Sequence, residues 1–399
     1  MPADSRTPPR PLAARALTAL GRAIPKRDGA IVCHSAIAVE DGTLALLTEL
    51  VRRGYRPTLL AEERLSAAAR SLLPAGVRVL AKDTWRGRWA YLRARNAFST
   101  HDAYRPHDPP SNQVLFNIWH GEPVGKIGLR WTGDQPPGAT MTTASSNLGR
   151  PFRIVEFGLP PDRVLTLGSP RNDRLLRADR ERVSRRVSGD SDGPLIIWMP
   201  TYRVATGVRT DGEPFDGAIP LDAAGIDELD RRLGALGARA LIVPHPHEAA
   251  TSELAGRERI EAITNEWLFE RGVTLYEALA VADLLITDVS SVWADFLLTG
   301  RPIVFHFPDL EAYRASRGLH LEPLEHWLPG PLTTDGGELY AAIEEALGPD
   351  EFAGERQRLA ALMHTHRDGR SAERILDASG LPSRPVSAGS DQLAAPTRT

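Results

Sequence analysis

Residues Leu284–Phe307 read LLITDVSSVWADFLLTGRPIVFHF. The opening Leu284–Ile286 is short, apolar and bounded by polar residues, as expected of a strand buried on both faces of a parallel sheet. Asp288, Ser290 and Ser291 then supply side chains that cap a helix start, and Val292, Phe296 and Leu297 recur at helical spacing. Gly300 ends that helix, and Pro302–Phe305 reads as the next strand. The stretch is one β-α-β unit with a hydroxyl-rich turn at the carboxyl edge of its first strand. Open α/β sheets bind ligands at that edge, where the free N–H groups and partial positive charge of a helix start suit phosphate. The same serines serve equally as plain caps.

Working outward, the pattern alternates between strand and helix from about Ala30. Strands are expected at Ala30–Cys33, Thr58–Leu60, Val77–Leu80 and Val114–Ile118, and helices at Leu44–Val51, Arg64–Leu73 and Trp85–Ala97. Helical patterns near Leu148–Phe157 and Asn172–Val187 bracket a strand at Val164–Leu167. The polar, glycine-rich Ser188–Pro194 reads as a linker. Beyond it come strand Leu195–Met199, helix Ala223–Leu233, strands Ala240–Val243 and Val273–Leu275, helix Tyr276–Val281 and the unit above. Helices close the chain between Gly337 and Ser379. Such alternation predicts an α/β protein of two Rossmann-like, doubly wound domains facing each other across a cleft, the GT-B arrangement. The expected divisions are a basic leader at 1–28, a first domain at 29–187, a second at 188–380, and a disordered Pro/Ser/Ala-rich tail at 381–399.

Composition bounds the function. The 399 residues carry 25% charged and 42% hydrophobic side chains, ordinary values for a soluble globular protein, and a net charge of −3 that argues against nucleic acid as a partner. Cys33 stands alone, which excludes an internal disulfide or a multi-cysteine zinc site and fits a reducing cytoplasm. No apolar run reaches the roughly 18 residues that cross a bilayer. Residues 1–27 set Arg6, Arg10, Arg15, Arg22, Lys26 and Arg27 against Asp4 alone. Leu12, Ala16, Leu17, Leu20 and Ile24 line one face of a short helix, so the leader either lies on an anionic membrane surface or is a poorly ordered tail.

Four further motifs sit just past strand ends or at turns into helices. Trp119-His120-Gly121-Glu122-Pro123 places an imidazole suited to taking a proton near neutral pH, beside a glycine that lets backbone approach a ligand. Gly168-Ser169-Pro170-Arg171-Asn172-Asp173 is a turn that holds the domain junction, touches the acceptor or merely caps a helix. Met199-Pro200-Thr201-Tyr202-Arg203 offers a guanidinium for phosphate. In His245-Pro246-His247-Glu248, two histidines lack a third metal ligand, so an imidazole on phosphate is the economical reading and no resident metal or other cofactor is required. Three lookalikes fall away. The Gly121–Lys126 stretch is too short between its glycines for a P-loop, with Ile127 where Ser or Thr is needed. Asp190-Ser191-Asp192 lies in the linker, and Ser290-Ser291 form no Gly-x-Ser-x-Gly elbow.

Taken in order, WHGEPVGKIG, GSPRND, MPTYR, PHPH, LLITDVSSVWADF, RPIVFHFPDLEAY, RGL and LPGPL closely resemble the CDP-glycerol glycerophosphotransferase family, which includes primases and polymerases of teichoic acids and related capsule polymers. The resemblance covers roughly Val114–Leu332. It implies the GT-B fold, with the acceptor in the first domain and a CDP-polyol donor in the second. It further implies attack by a hydroxyl of a lipid-linked or glycan acceptor on the β-phosphate, releasing CMP; the lone cysteine and the basic leader add the expectation of a cytoplasmic enzyme, peripheral on the inner membrane surface if the leader binds there. On that basis His120 is the general base and His245 stabilises phosphate, while Pro200, Thr201, Arg203 and the turn Asp288, Ser290, Ser291 line the CDP site. The same resemblance puts Gly121, Lys126, Arg171, Asp173, Pro246, His247, Thr287, Asp295 and Arg317 among the substrate contacts. Two positions depart from the family pattern: Glu122 stands where Thr is usual, and Gly125 leaves Lys126 without its paired lysine. Glu122 is expected to add negative charge beside a site meant for anions, altering donor or acceptor choice. Rival functions are a GT-B glycosyltransferase using a nucleotide sugar and a catalytically silent nucleotide- or glycan-binding subunit.

Overall fold

The computed structural model describes residues 12–384, apart from 38, 102, 105–110, 120, 123–128, 130–137, 190–191, 201–218, 245–253, 289 and 317–318. Its strands form two sheets in which every neighbouring pair is parallel. The first contains β1 (Arg27–His34), β2 (Thr58–Ala61), β3 (Arg78–Ala81), β4 (Ala94–Ser99), β5 (Val114–Asn117), β6 (Met141–Ala144) and β7 (Val164–Thr166), in the order β3-β2-β1-β4-β5-β6-β7. The second contains β8 (Leu195–Met199), β9 (Arg239–Ile242), β10 (Ile260–Ala262), β11 (Leu284–Thr287), β12 (Ile303–His306) and β13 (Leu332–Thr333), in the order β10-β9-β8-β11-β12-β13. Strand order reverses between β1 and β4 and between β8 and β11, the positions where such sheets open a crevice for ligand.

The stretch that suggested this architecture is its second core. Leu284–Thr287 of β11 lie beside Ile196–Met199 of β8, and Leu285–Thr287 beside Ile303–Phe305 of β12. All four β11 residues are buried. Alternation sends Leu285 with Ile197 into one apolar cluster and Leu284 and Ile286 with Ile196 and Trp198 into the other, so a strand covered on both faces needs apolar residues throughout. Gly300 ends the following helical segment at φ 71°, as expected of a left-handed terminus.

Several expectations fail for identifiable reasons. The helix expected at Trp85–Ala97 stops at Arg93, and Ala94–Ser99 becomes β4, a central strand paired with β1 and β5. Ala94, Ala97 and Phe98 are buried there, so sheet pairing overrides the helical propensity of an alanine-rich run. The strand expected at Val273–Leu275 does not form. Thr274 instead caps the helix Leu275–Leu279, with Glu277 closing a capping box. The single helix expected at Asn172–Val187 is two, Arg171–Leu176 and Arg180–Val187, the second capped by Asp179. Strands β6, β10 and β13 lie where no strand was expected.

The chain then crosses back. Helix Ser371–Ala378, in the second domain by chain order, packs against the first-lobe helix Asp41–Arg52. Asp173 caps it, accepting from Ser371 N at 2.9 Å and Ala372 N at 2.8 Å. Arg53 clamps its far end: Nη1 donates to Asp377 at 2.6 Å and to Leu381 O at 2.7 Å, Nη2 to Glu373 O at 3.0 Å, and Nε to Glu49 at 2.6 Å. Leu381, Pro382 and Arg384, counted above in the tail, are held on the first lobe by Arg53 and by Tyr55, whose hydroxyl donates to Pro382 O at 2.9 Å. Arg53 and Glu49 are both buried, so Arg53→Ala should lower unfolding free energy by about 3 kcal/mol in urea titration. A change below about 0.5 kcal/mol would mean the crossover is held by other contacts.

Candidate active site

The site grows from strand ends. At the end of β5 the buried Asn117 accepts Trp119 N at 2.8 Å through Oδ1, while its carbonyl accepts the Thr142 hydroxyl at 2.7 Å. Trp119 then turns the chain at φ 53°, a left-handed conformation rare for a bulky residue. Its ring meets Phe157 edge-on at 5.2 Å, with the Arg153 guanidinium 5.6 Å away. Arg153, almost wholly buried, donates through Nη2 to Gly121 O at 2.8 Å. Burial pushes its guanidinium below the ordinary value, against the pull of Glu122 and Glu156.

Glu122 departs from its expected role. One carboxylate oxygen accepts Ser145 N and the other lies 4.0 Å from Arg153 Nη2, so its charge is engaged inside the first lobe rather than displayed to a bound anion. Arg153 thus holds the Gly121 carbonyl, while Glu122, the next residue, is tied to Ser145.

In the second lobe the Thr287 hydroxyl donates to Met199 O at 2.8 Å, which sets the β11 end beside Pro200 at the end of β8. Asp288 accepts Ser290 N at 3.0 Å and so makes the turn itself. Ser290 Oγ accepts Val292 N only at the long distance of 3.5 Å, and Ser291, at the cap position, makes no cap bond. Its hydroxyl is instead 3.4 Å from Arg171 Nη2 of the other lobe. The helix Val292–Phe296 thus starts without a side-chain bond from its cap residue, and Asp288 shapes the turn before it.

The lobes meet at Asp295. This fully buried carboxylate accepts from Arg171 Nη2, from Asn172 Nδ2 at 2.8 Å and from the Tyr276 hydroxyl at 2.8 Å. Burial alone would lower the Arg171 pKa, but the adjacent Asp295 carboxylate holds it well above the ordinary value. Tyr276 is raised well above its ordinary value, chiefly by burial. Gly121 sits against this junction at φ 138°, where an added Cβ would collide with the Arg171 guanidinium and the Ser291 hydroxyl. The residue after His120 thus touches the turn of the opposite lobe.

Of the expected site residues, Gly121, Arg171, Ser291 and Asp295 come together, and Pro200, Thr287, Asp288 and Ser290 stand at adjoining strand ends. Asp173 belongs to the helix cap described above. His120, Lys126, Thr201, Arg203, His245, Pro246, His247 and Arg317 lie outside the described residues. Sequence reasoning missed Tyr276, Arg153 and Asp41. Asp41 opens the helix Asp41–Arg52 and accepts Tyr276 N at 3.3 Å across the junction. The capping box of Thr274 and Glu277 was a legible signal for the segment carrying Tyr276, whereas nothing local marks Arg153 or Asp41.

Residues 24–378 match the family described as CDP-Glycerol:Poly(glycerophosphate) glycerophosphotransferase. The chain is 28% identical over 229 residues to a teichoic acid ribitol-phosphate primase of Bacillus spizizenii, an alignment covering 55% of this chain and 54% of the primase. It is 25% identical over 285 residues to a teichoic acid poly(glycerol phosphate) polymerase of Bacillus subtilis, covering 66% of this chain and 37% of the polymerase. The chain thus spans about half or less of the length of these relatives. Among solved structures, the wall teichoic acid polymerase TagF superposes with a TM-score of 0.72 over 89% of each chain at 19% identity. The fold is the GT-B arrangement expected from the sequence.

The junction carries a pH dependence. Burial raises the Asp41 carboxyl to about 7, with Glu40 adding to the rise and the Thr274 hydroxyl and Arg174 opposing it. The folded state thus keeps a proton that the unfolded chain releases near pH 4, and this group's stabilising share falls as pH rises from about 4 to 7. Denaturant titrations at pH 5 and pH 8 should show a stability difference that Asp41→Asn shrinks by about 1–3 kcal/mol. An unchanged difference in the variant would place the proton elsewhere.

Proposed function

Because the chain belongs to the CDP-glycerol:poly(glycerophosphate) glycerophosphotransferase family, we propose that it transfers glycerol- or ribitol-phosphate from a CDP-polyol to a hydroxyl of a lipid-linked or glycan acceptor in the synthesis of a teichoic-acid- or capsule-type polymer. The observation that carries this reading is the contact of Gly121 with Arg171 and Ser291, which brings the segment following His120 against the Asp288–Ser291 turn. A donor diphosphate bound at that turn would present its β-phosphorus to an acceptor held by the first lobe.

In this reading the acceptor hydroxyl oxygen attacks the β-phosphorus while His120 takes its proton. The bond from that phosphorus to the bridging oxygen breaks, CMP leaves, and a phosphodiester remains. Arg203 and His245 would offset charge on the phosphate oxygens, where preorganised donors contribute most. Thr287 and Asp288 hold the turn in place, and Pro200 bounds the crevice beside it. The reading assigns no resident cofactor. It places the enzyme at the cytoplasmic face of the membrane, where a lipid-linked acceptor would be met; no helix among the described residues is long and apolar enough to cross a bilayer.

The test is nucleotide release from CDP-glycerol, CDP-ribitol and nucleotide sugars with a lipid-linked disaccharide acceptor. CMP should appear with a polyol-phosphate adduct on the acceptor, and His120→Ala should lower kcat by about 10²–10⁴ while CDP affinity changes by less than about threefold. A nucleoside diphosphate as product would mean sugar transfer, and a wild-type rate in His120→Ala would remove the base assignment.

A further inference from the structure

Away from the cleft, at the amino ends of β1, β2 and β3, lies a groove of about 750 Å³ whose rim is basic. Arg27 opens β1, Arg56 precedes β2, Arg78 opens β3, Arg93 ends the helix Trp85–Arg93, and Arg384 comes from the returning chain. All five are exposed, and among the described residues none pairs with a carboxylate. Asp28, the acidic residue lining the groove, is held by Arg95 at 3.1 Å. Five like charges around one concavity repel each other and raise the local potential, a cost offset only when an anion approaches. Gly121 and the junction sit past the carboxyl ends of the same sheet, so the reaction cleft makes no use of this groove.

The adjoining surface identifies the kind of anion. Trp89 lines the groove at 46% exposure, and Trp85, one turn earlier on the same helix face, is 72% exposed. Arg93 stacks over the Trp89 ring at 5.6 Å and Arg86 over Trp85 at 5.4 Å. The helix Leu12–Ala23 packs beside this helix with Leu20 at 51% exposure, and Lys26 ties the following turn to it by donating to Leu92 O at 2.5 Å. Tryptophans flanked by arginines, with an apolar leucine alongside, form the amphipathic pattern that settles at a lipid headgroup layer. A dissolved polyanion would use the arginines but not the apolar tips.

We propose that the groove and the outer face of the helix Trp85–Arg93 form a docking surface for an anionic phospholipid membrane, the arginines taking headgroup phosphates and Trp85 and Trp89 seating in the interface. This rests on the peripheral placement proposed above and names the surface responsible, extending it well beyond the leader. Each arginine near an anionic leaflet should contribute about fivefold in partitioning.

The experiment is co-sedimentation of the full chain with vesicles of phosphatidylglycerol mixed into phosphatidylcholine, against phosphatidylcholine alone and against soluble polyphosphate as competitor. CMP release on a water-soluble acceptor is read in parallel. Wild type should bind the anionic vesicles, and R56S/R78S should bind about 25-fold more weakly. W85S/W89S should lose the part of binding that survives high salt. Both double variants should keep the wild-type rate of CMP release. Equal binding by wild type and R56S/R78S would overturn the proposal. So would polyphosphate binding as tight as vesicle binding with W85S/W89S unchanged, which would make the groove a site for a dissolved polyanion. Loss of CMP release in wild type with vesicle binding intact would instead count against the transferase reading alone.

Discussion

A carboxylate shut away from the surface decides how this molecule is put together. Asp295 projects from the short helix after β11 into the junction, and its donors Arg171, Asn172 and Tyr276 come from both lobes. A buried charge is tolerated only when its lone pairs are fully engaged. The requirement ties the turn before the helix Arg171–Leu176 to the turn before Val292–Phe296, and therefore ties the end of the first sheet's connectivity to the centre of the second. Gly121 fits only because it has no side chain, and Ser291 faces Arg171 rather than its own helix. Geometry at the cleft is thus inherited from a buried ion pair.

The crossover adds a second constraint of the same kind. Asp173 follows Arg171 and Asn172 by two and one positions, yet it caps the helix Ser371–Ala378 rather than facing Asp295. Three consecutive polar residues therefore hold two different elements of the distant half of the chain. Arg53 performs the complementary role at the other end of that helix. Motion of one lobe against the other would have to bend around these points.

What the sequence disclosed follows from what periodicity can encode. Leu284–Ile286 and Leu195–Met199 are apolar because both faces are covered, so they announce buried parallel strands without help from the rest of the chain. Ala94–Ser99 buries Ala94, Asn96, Ala97 and Phe98 but exposes Arg95, so it carries no continuous apolar run, and only its pairing with β1 and β5 makes it a strand. The motifs past the strand ends were legible because turn chemistry is local. Their partners were not: GSPRND reads as a cap or a contact, and only the folded chain reveals Asp295 opposite Arg171 and Ser371 opposite Asp173. Glu122 teaches the same lesson in reverse. Its charge is conspicuous in sequence, but Arg153, some thirty positions later, accounts for it.

The most direct test of the account is a double-mutant cycle on the junction, with unfolding free energies measured for Asp295→Asn, Arg171→Met and the pair together. If the buried pair holds the lobes, each single change strands the other partner, and the double variant should be more stable than the sum of the singles predicts by at least about 1 kcal/mol. Additive losses, within about 0.3 kcal/mol, would show that Asp295 and Arg171 act independently and that the junction is held by something else.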